Sequence, residues 1–125
     1  MQKLSGEVFK EYCSGYLFSN FGRVYSLKNK KFLKPYPNSH GYMRVGIYKN
    51  GSKKDLFIHI TVVHLFGDCN GNFPECEELS KLGLSIDHLN RNKADNSVSN
   101  LEITSFQENC RRWKSIPDPE ACLPY

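Results

Sequence analysis

The fold is decided by Ser85-Ile86-Asp87-His88-Leu89-Asn90, the loop from Arg91 to Asn100, Leu101-Glu102-Ile103-Thr104, and Ser105-Phe106-Gln107-Glu108-Asn109. The first segment reads as extended. The loop is rich in Asn and Asp, whose side chains form local turns with the backbone. Leu101 to Thr104 reads as a second strand. Ser105 to Glu108 carries the Ser-x-x-Glu pattern of a capping box, which starts a helix. That helix is expected to run to Trp113 or Lys114, and Pro117 and Pro119 stop anything further. Strand, loop, strand and helix thus place Asp87 and His88 on the first strand, Asn100 at the close of the loop, and Asn109 in the first turns of the helix.

Upstream, His59 to Phe66 is apolar and predicts a short helix closed by Gly67. Asp68 to Leu84 is a polar, acidic connection with one helical turn expected at Glu77 to Leu82. The first twelve residues carry little signal. From there short strands recur at Gly15–Ser19, Arg23–Leu27, Phe32–Lys34, Tyr42–Tyr48 and Asp55–Ile58, separated by turn residues. Asn50-Gly51 is a strong hairpin signal. The first half therefore predicts an antiparallel sheet whose turns and edges carry positive charge.

The 125 residues suit one compact body, and a hydrophobic fraction of 39% can supply a thin core. No apolar run reaches the roughly 18–20 residues that span a bilayer, and Met1 to Phe9 lacks the apolar stretch of a signal peptide. Five cysteines, Cys13, Cys69, Cys76, Cys110 and Cys122, make an odd count with no C-x-x-C pair. Reduced thiols in an intracellular protein are expected, without structural zinc. Net charge is only +4, but Cys13 to Lys54 contains no Asp or Glu and nine basic residues. Such a stretch suits a polyanion, and it equally suits a solvated sheet face.

Asp87 and the amide of Asn109 are two hard oxygen donors that can converge on one divalent cation, and oxygen ligation with places left for water suits Mg²⁺. His88 follows Asp87 directly, so on a flat strand it points the other way. Bringing both to one phosphate takes a bend. Taken alone, Asp87 would serve as well to cap a turn and Asn100 to close one. Asn90, Asn92, Asp95 and Asn96 read as turn formers. His59 reads as packing or backbone bonding, His64 as semi-buried, and His40 as a loop residue.

Ile86 to Asn96 followed by Asn100-Leu101-Glu102 resembles the core of the HNH homing endonucleases. Members of the phage intron type carry Asp-His, an Asn twelve positions after that His, and another Asn nine further on. Here His88, Asn100 and Asn109 stand at those intervals. The first half resembles a β-rich module that commonly precedes this unit, on Ser19-Asn20-Phe21-Gly22-Arg23-Val24-Tyr25-Ser26-Leu27, Leu33-Lys34-Pro35 and Gly41-Tyr42-Met43-Arg44-Val45. Ile58 to Phe66 resembles a segment usually reading Val-His-Arg-Leu-Val-Ala-x-Ala-Phe, with Ile60 where Arg is usual.

The resemblance spans residues 15–113 and implies an α+β fold: an N-terminal antiparallel β-sheet module (1–58), a ββα-metal nuclease unit with its preceding helix and loop (59–114), and a tail (115–125). It implies a Mg²⁺-dependent endonuclease on double-stranded DNA, of the homing or mobile-element kind, acting as monomer or homodimer. Mn²⁺ or another divalent cation would substitute. Asp87 and Asn109 would hold the metal, His88 would take a proton from water, and Asn100 would hydrogen-bond backbone across the loop and fix the orientation of His88. Arg23, Lys34, Arg44, Lys53 and Lys54 would line one DNA-facing surface, joined by Arg91, Arg111 and Arg112. The alternative is a non-catalytic DNA-binding protein derived from such a nuclease.

Overall fold

The computed structural model describes residues 2–66 and 83–113. Most of the acidic connection, including its expected helical turn, lies outside these residues, as do Cys69, Cys76, Cys122, Lys114 and the tail. Strands β1 (Phe9–Glu11), β2 (Tyr16–Ser19), β3 (Val24–Ser26) and β4 (Lys31–Phe32) form an antiparallel meander. Strands β5 (Tyr36–Pro37), β6 (Met43–Lys49) and β7 (Ser52–Phe57) form a second sheet. Helix α1 (Ile58–Phe66) follows. The antiparallel pair β8 (Leu84–His88) and β9 (Leu101–Ser105) and helix α2 (Phe106–Trp113) complete the order, with one 3₁₀ turn at Val98–Asn100. The architecture is α+β, a β-rich N-terminal part leading into a ββα unit. No helix among the described residues is long and apolar enough to cross a membrane.

Local chemistry accounts for the boundaries. Asn50 and Gly51 adopt φ of 53° and 80°, the pair of positive values that a two-residue type I′ hairpin needs, so Lys49 faces Ser52. Ser105 Oγ accepts the N–H of Glu108 at 3.1 Å and caps α2. Two sheets stand where one was expected. The chain leaves the first after Phe32, and Pro35, without an N–H to donate, lies at the break. Strand β1 carried no periodic signal. It pairs with β2, and the residues just before it are held by Asn20, whose Oδ1 accepts from Val8 N at 2.8 Å while its Nδ2 donates to Gly6 O at 3.3 Å.

Alternation builds the core. Phe18 of β2 pairs with Val24 of β3, and Val45 and Ile47 point inward from β6. Ile58 and Val62 of α1 join these four in one buried cluster. Ile60 and Val63, on another side of the same helix, form a second cluster with Ile86 of β8. Each such buried side chain contributes about 1.5–3 kcal/mol. Helix α1 is therefore apolar on both sides because it is buried on both sides, which outweighs the weak helix propensity of its β-branched residues. The buried hydroxyl of Thr61 is satisfied by Phe57 O at 2.9 Å.

Arg23, expected on the DNA-facing surface, is instead part of the first sheet's frame. Its Nε donates to Glu7 Oε2 at 2.8 Å, a second bond runs from Nη2 to Oε1, and the guanidinium lies 4.0 Å from the centroid of the Phe32 ring. Glu7 has no exposed side-chain surface. The bonds from Arg23 hold its carboxyl down at about 2, against an ordinary 4.5. A depressed carboxylate adds stability above its unfolded value and loses it as pH falls toward the folded one. Glu7→Gln should therefore unfold more easily at neutral pH by about 1.5–3 kcal/mol. Denaturant titrations should show wild-type stability declining between pH 4.5 and about 2, with that component missing from the variant. A wild type and variant that decline in parallel would refute this role for the pair.

Candidate active site

Side chains of β8 alternate between two neighbours. Ser85 and Asp87 face α2, and Ile86 and His88 face α1, His88 also meeting Tyr42 just before β6. The strand stays regular to its end, with Asp87 opposite Glu102 and His88 opposite Leu101. The bend expected between Asp87 and His88 is absent, and the two side chains leave on opposite sides.

Asn109 is buried in the α2–β8 seam. Its Nδ2 donates to Ser85 Oγ at 2.8 Å and to Ile86 O at 3.3 Å. A main-chain carbonyl only accepts, so the amide nitrogen must face it, and this fixes which way the amide points. Oδ1 is then left buried, with no partner among the described residues. Asp87 lies on the same side of β8, its carboxylate wholly buried. Arg112 Nη1 approaches at 3.0 Å and Arg91 Nη1 at 3.5 Å. Arg112 also reaches Glu102 at 3.3 Å and Glu108 at 3.2 Å. The bond to Asp87 is foremost in raising its pKa. Arg111 is exposed and bound to Glu108, which Arg111 first and Arg112 second hold at about 2.

On the opposite side, His88 Nε2 lies 2.8 Å from Asn96 Oδ1. With the amide oxygen as acceptor, Nε2 carries the proton and Nδ1 is the basic atom. Nδ1 is buried and has no partner among the described residues. The ring packs against His59 and Tyr42, with centroids 5.2 and 5.9 Å away. Burial lowers the pKa of His88, opposed by the bond to Asn96 and by Asp87. His59 is wholly buried on α1, neither ring nitrogen has a partner among the described residues, and burial lowers its pKa further.

Asn96 is the residue that sequence reasoning passed over as a turn former. It is 4% exposed and touches the imidazole directly. Asn100 works at the loop. Its Oδ1 accepts Asn90 N, and its Nδ2 donates to Asn90 Oδ1 and Asp95 O, all at 2.9 Å. The described structure gives it no bond to His88. The sequence reading put Asn90, Asn92 and Asn96 together as turn formers, and the inward turn of Asn96 is what sets it apart from the exposed Asn90 and Asn92.

The five basic residues expected on one surface are divided. Arg44 and Lys53 share a face of the second sheet with Tyr36 and Tyr48, as the register requires. Arg44 lies 5.1 Å from the Tyr36 ring centroid. Lys54, opposite Ile47, belongs to the other face. Lys34 is exposed between the sheets, and Arg23 is bound to Glu7.

No family model matches the chain. It is 37% identical over 106 residues to the DNA endonuclease I-HmuI of Bacillus phage SP01, covering 85% of this chain and 55% of that protein. It is 33% identical over 93 residues to the H-N-H endonuclease F-TflII of Escherichia phage T5, covering 74% and 44%. An uncharacterized HNH endonuclease of Acanthamoeba polyphaga mimivirus, L245, is 30% identical over 96 residues, covering 77% and 26%. Among solved structures, that of the HNH homing endonuclease I-HmuI, described as DNA binding and cleavage, superposes with a TM-score of 0.68 at 31% identity. The match covers 86% of this chain and 58% of that one. The chain thus spans about half, or less, of the length of these relatives.

Asn100→Ala removes three bonds at one stroke and leaves Asp95 O and Asn90 N to find water. It should lower stability by about 1–3 kcal/mol, measured by denaturant unfolding. An unchanged midpoint would show that the loop does not depend on this amide.

Proposed function

This chain belongs to the HNH homing endonuclease family, and we propose that it hydrolyses phosphodiester bonds of double-stranded DNA with a divalent cation at Asp87 and Asn109. One observation carries the reading. Asn109 Oδ1 and His88 Nδ1 are both sealed lone pairs without a partner among the described residues, on either side of the strand that holds the buried Asp87. Each unmade bond costs about 1–3 kcal/mol. Unpaired buried atoms in native structures call for an explanation such as a bound ion, an ordered water or a catalytic task. Here, unlike the nitrogens of His59 that are also unpaired among the described residues, they belong to the residue next to Asp87 in the chain and to the α2–β8 seam that Asp87 faces.

The donor set fits a hard cation. A carboxylate and an amide oxygen lie on the α2 side of β8, and two protein oxygens leave positions for water and phosphate, the habit of Mg²⁺. Mn²⁺ suits the same donors. When bound, the cation would neutralise the phosphate and stabilise the departing oxygen. Other steps fall to the side chains. His88, neutral and protonated on Nε2, takes the proton of the attacking water at Nδ1. Asp87 and His88 leave β8 on opposite sides, so a phosphate that meets both lies across the end of the strand. The proton transfer requires the water to reach Nδ1, which is buried here. Arg91 and Arg112, grouped at Asp87, carry planar donor forks that match phosphate. Arg44 and Lys53, on one face of the second sheet, supply phosphate contacts.

Supercoiled plasmid incubated with Mg²⁺ tests the reaction. Wild type should yield relaxed circles if single subunits act, or linear DNA if subunits pair. His88→Ala should cut about 10²- to 10⁴-fold more slowly, and Asp87→Asn should lose Mg²⁺-dependent cleavage. Equal cutting by all three proteins would sink the assignment. A companion binding titration addresses that face of the second sheet: Arg44→Ala with Lys53→Ala should weaken DNA binding and flatten its salt dependence by about two counterions. An unaltered slope would remove that face from the interface.

A further inference from the structure

Resting on this nuclease reading, we propose that the Asn20–Gly22 turn of the N-terminal sheet is a positioning device for the general base: it seats Asn96 against His88 Nε2 and so fixes which imidazole nitrogen is basic. Three contacts build the relay. Gly22 has φ of +86°, and a Cβ placed there would lie 2.9 Å from Asn96 Cβ and 3.0 Å from both Asn96 C and Asn96 O. Two of those atoms are backbone, so no side-chain rotation relieves the crowding. Nearby, Val98 N donates to Asn20 O at 2.8 Å, pinning the loop to the same turn just past Asn96. Asn96 Oδ1 then stands 2.8 Å from His88 Nε2.

The turn is itself braced from behind. The side chain of Asn20 holds Val8 and Gly6, and Ser19 Oγ accepts the N–H groups of Phe21 and Arg23 at 3.1 and 3.0 Å. The other side of Asn96 is tied down by Asn100 through Asp95 O. Asn96 therefore sits between an anchor within its own loop and an anchor in the preceding sheet. Its amide oxygen only accepts, so while the contact holds, the imidazole proton stays on Nε2 and Nδ1 keeps its lone pair. If Asn96 moves, the ring can carry its proton on Nδ1 and then has nothing there with which to accept one. The nuclease unit thus borrows the protonation pattern of its base from the module before it.

The test uses the full chain and the imidazole ¹⁵N shifts of His88, which report the tautomer without any need for cleavage. Wild type should show one neutral tautomer, with the proton on Nε2. Gly22→Ala and Asn96→Ala should show a mixture, while Asn96→Asp, which still offers an accepting oxygen, should keep the wild-type pattern. Val98→Pro removes the N–H donated to Asn20 O. It suits the first position of the 3₁₀ turn, since Ser97 before it is extended at φ −62° and ψ 137°. It provides a second cut of the same anchor should Gly22→Ala fail to fold. In the plasmid assay, Gly22→Ala and Val98→Pro should lower kcat about 10- to 100-fold with KM for DNA little changed, and Asn96→Asp should retain more activity than Asn96→Ala. A folded Gly22→Ala or Val98→Pro with the wild-type ¹⁵N pattern overturns the relay. A wild type that shows the single tautomer yet never cuts DNA overturns the nuclease reading and leaves the contact standing.

Discussion

Everything near the candidate site follows from one helix having no exposed side along its first six residues. Ile58 to Val63 are all buried, with Ile58 and Val62 committed to the cluster between the sheets and Ile60 and Val63 to the cluster against β8. A helix so enclosed must also bury its second residue, and that residue is His59. The imidazole is stacked on Tyr42, centroids 5.2 Å apart, and equally close to His88. Two positive rings at that spacing would repel by about 3 kcal/mol at an effective dielectric near 20. Burial removes the conflict by lowering both pKa values, that of His59 furthest. The packing that joins the two halves of the fold therefore also keeps the candidate base neutral.

Across β8 the charge balance is managed differently. Asp87 is buried and ionisable, and two arginines stand at its oxygens. Arg112 divides its donors among Asp87, Glu102 and Glu108, so it is held by three carboxylates rather than by one. The loop between the strands uses neutral amides for the same purpose of closure. Asn90 N, Asn90 Oδ1 and Asp95 O all bond to Asn100, and Asn90 Nδ2 reaches Asp95 Oδ2 at 2.8 Å. Such a loop needs no apolar core of its own, because its backbone groups are satisfied locally.

These arrangements were unequally legible in the sequence. Features set by neighbours in the chain were readable: the Asn50-Gly51 hairpin, the Ser105 cap, the alternation of Tyr42–Tyr48 and the strand–loop–strand–helix order all rest on local backbone chemistry. Features set by distant partners were not. Arg23 looked like any basic residue in an acid-free stretch, since Glu7, sixteen positions earlier, gave no sign of reaching it. Lys53 and Lys54 looked equivalent until the register sent them to opposite faces. Strand β1 is set by its pairing with β2 and by the bonds of Asn20 to Val8 and Gly6 just before it, not by a pattern of its own. Asn96 was one of several turn-forming amides, and the signal that distinguishes it is a contact with Gly22 across 74 positions, which spacing cannot express.

The choice of an amide rather than a second carboxylate at position 109 has a physical consequence for folding. Burying an unpaired carboxylate is far more costly than burying a neutral amide with one unmade bond. Two carboxylates in the α2–β8 seam would repel one another and demand a cation before the unit could close. Asp87 is balanced by Arg91 and Arg112, and Asn109 is secured through its nitrogen to Ser85 and Ile86, while the Asn109 oxygen has no partner among the described residues. The oxygen is positioned by bonds made elsewhere on the same side chain. The same device recurs across the strand in His88, whose Nε2 is bonded so that Nδ1 is not. In both cases one end of a two-ended polar group is fixed by hydrogen bonds, and the lone pair at the other end has no partner among the described residues.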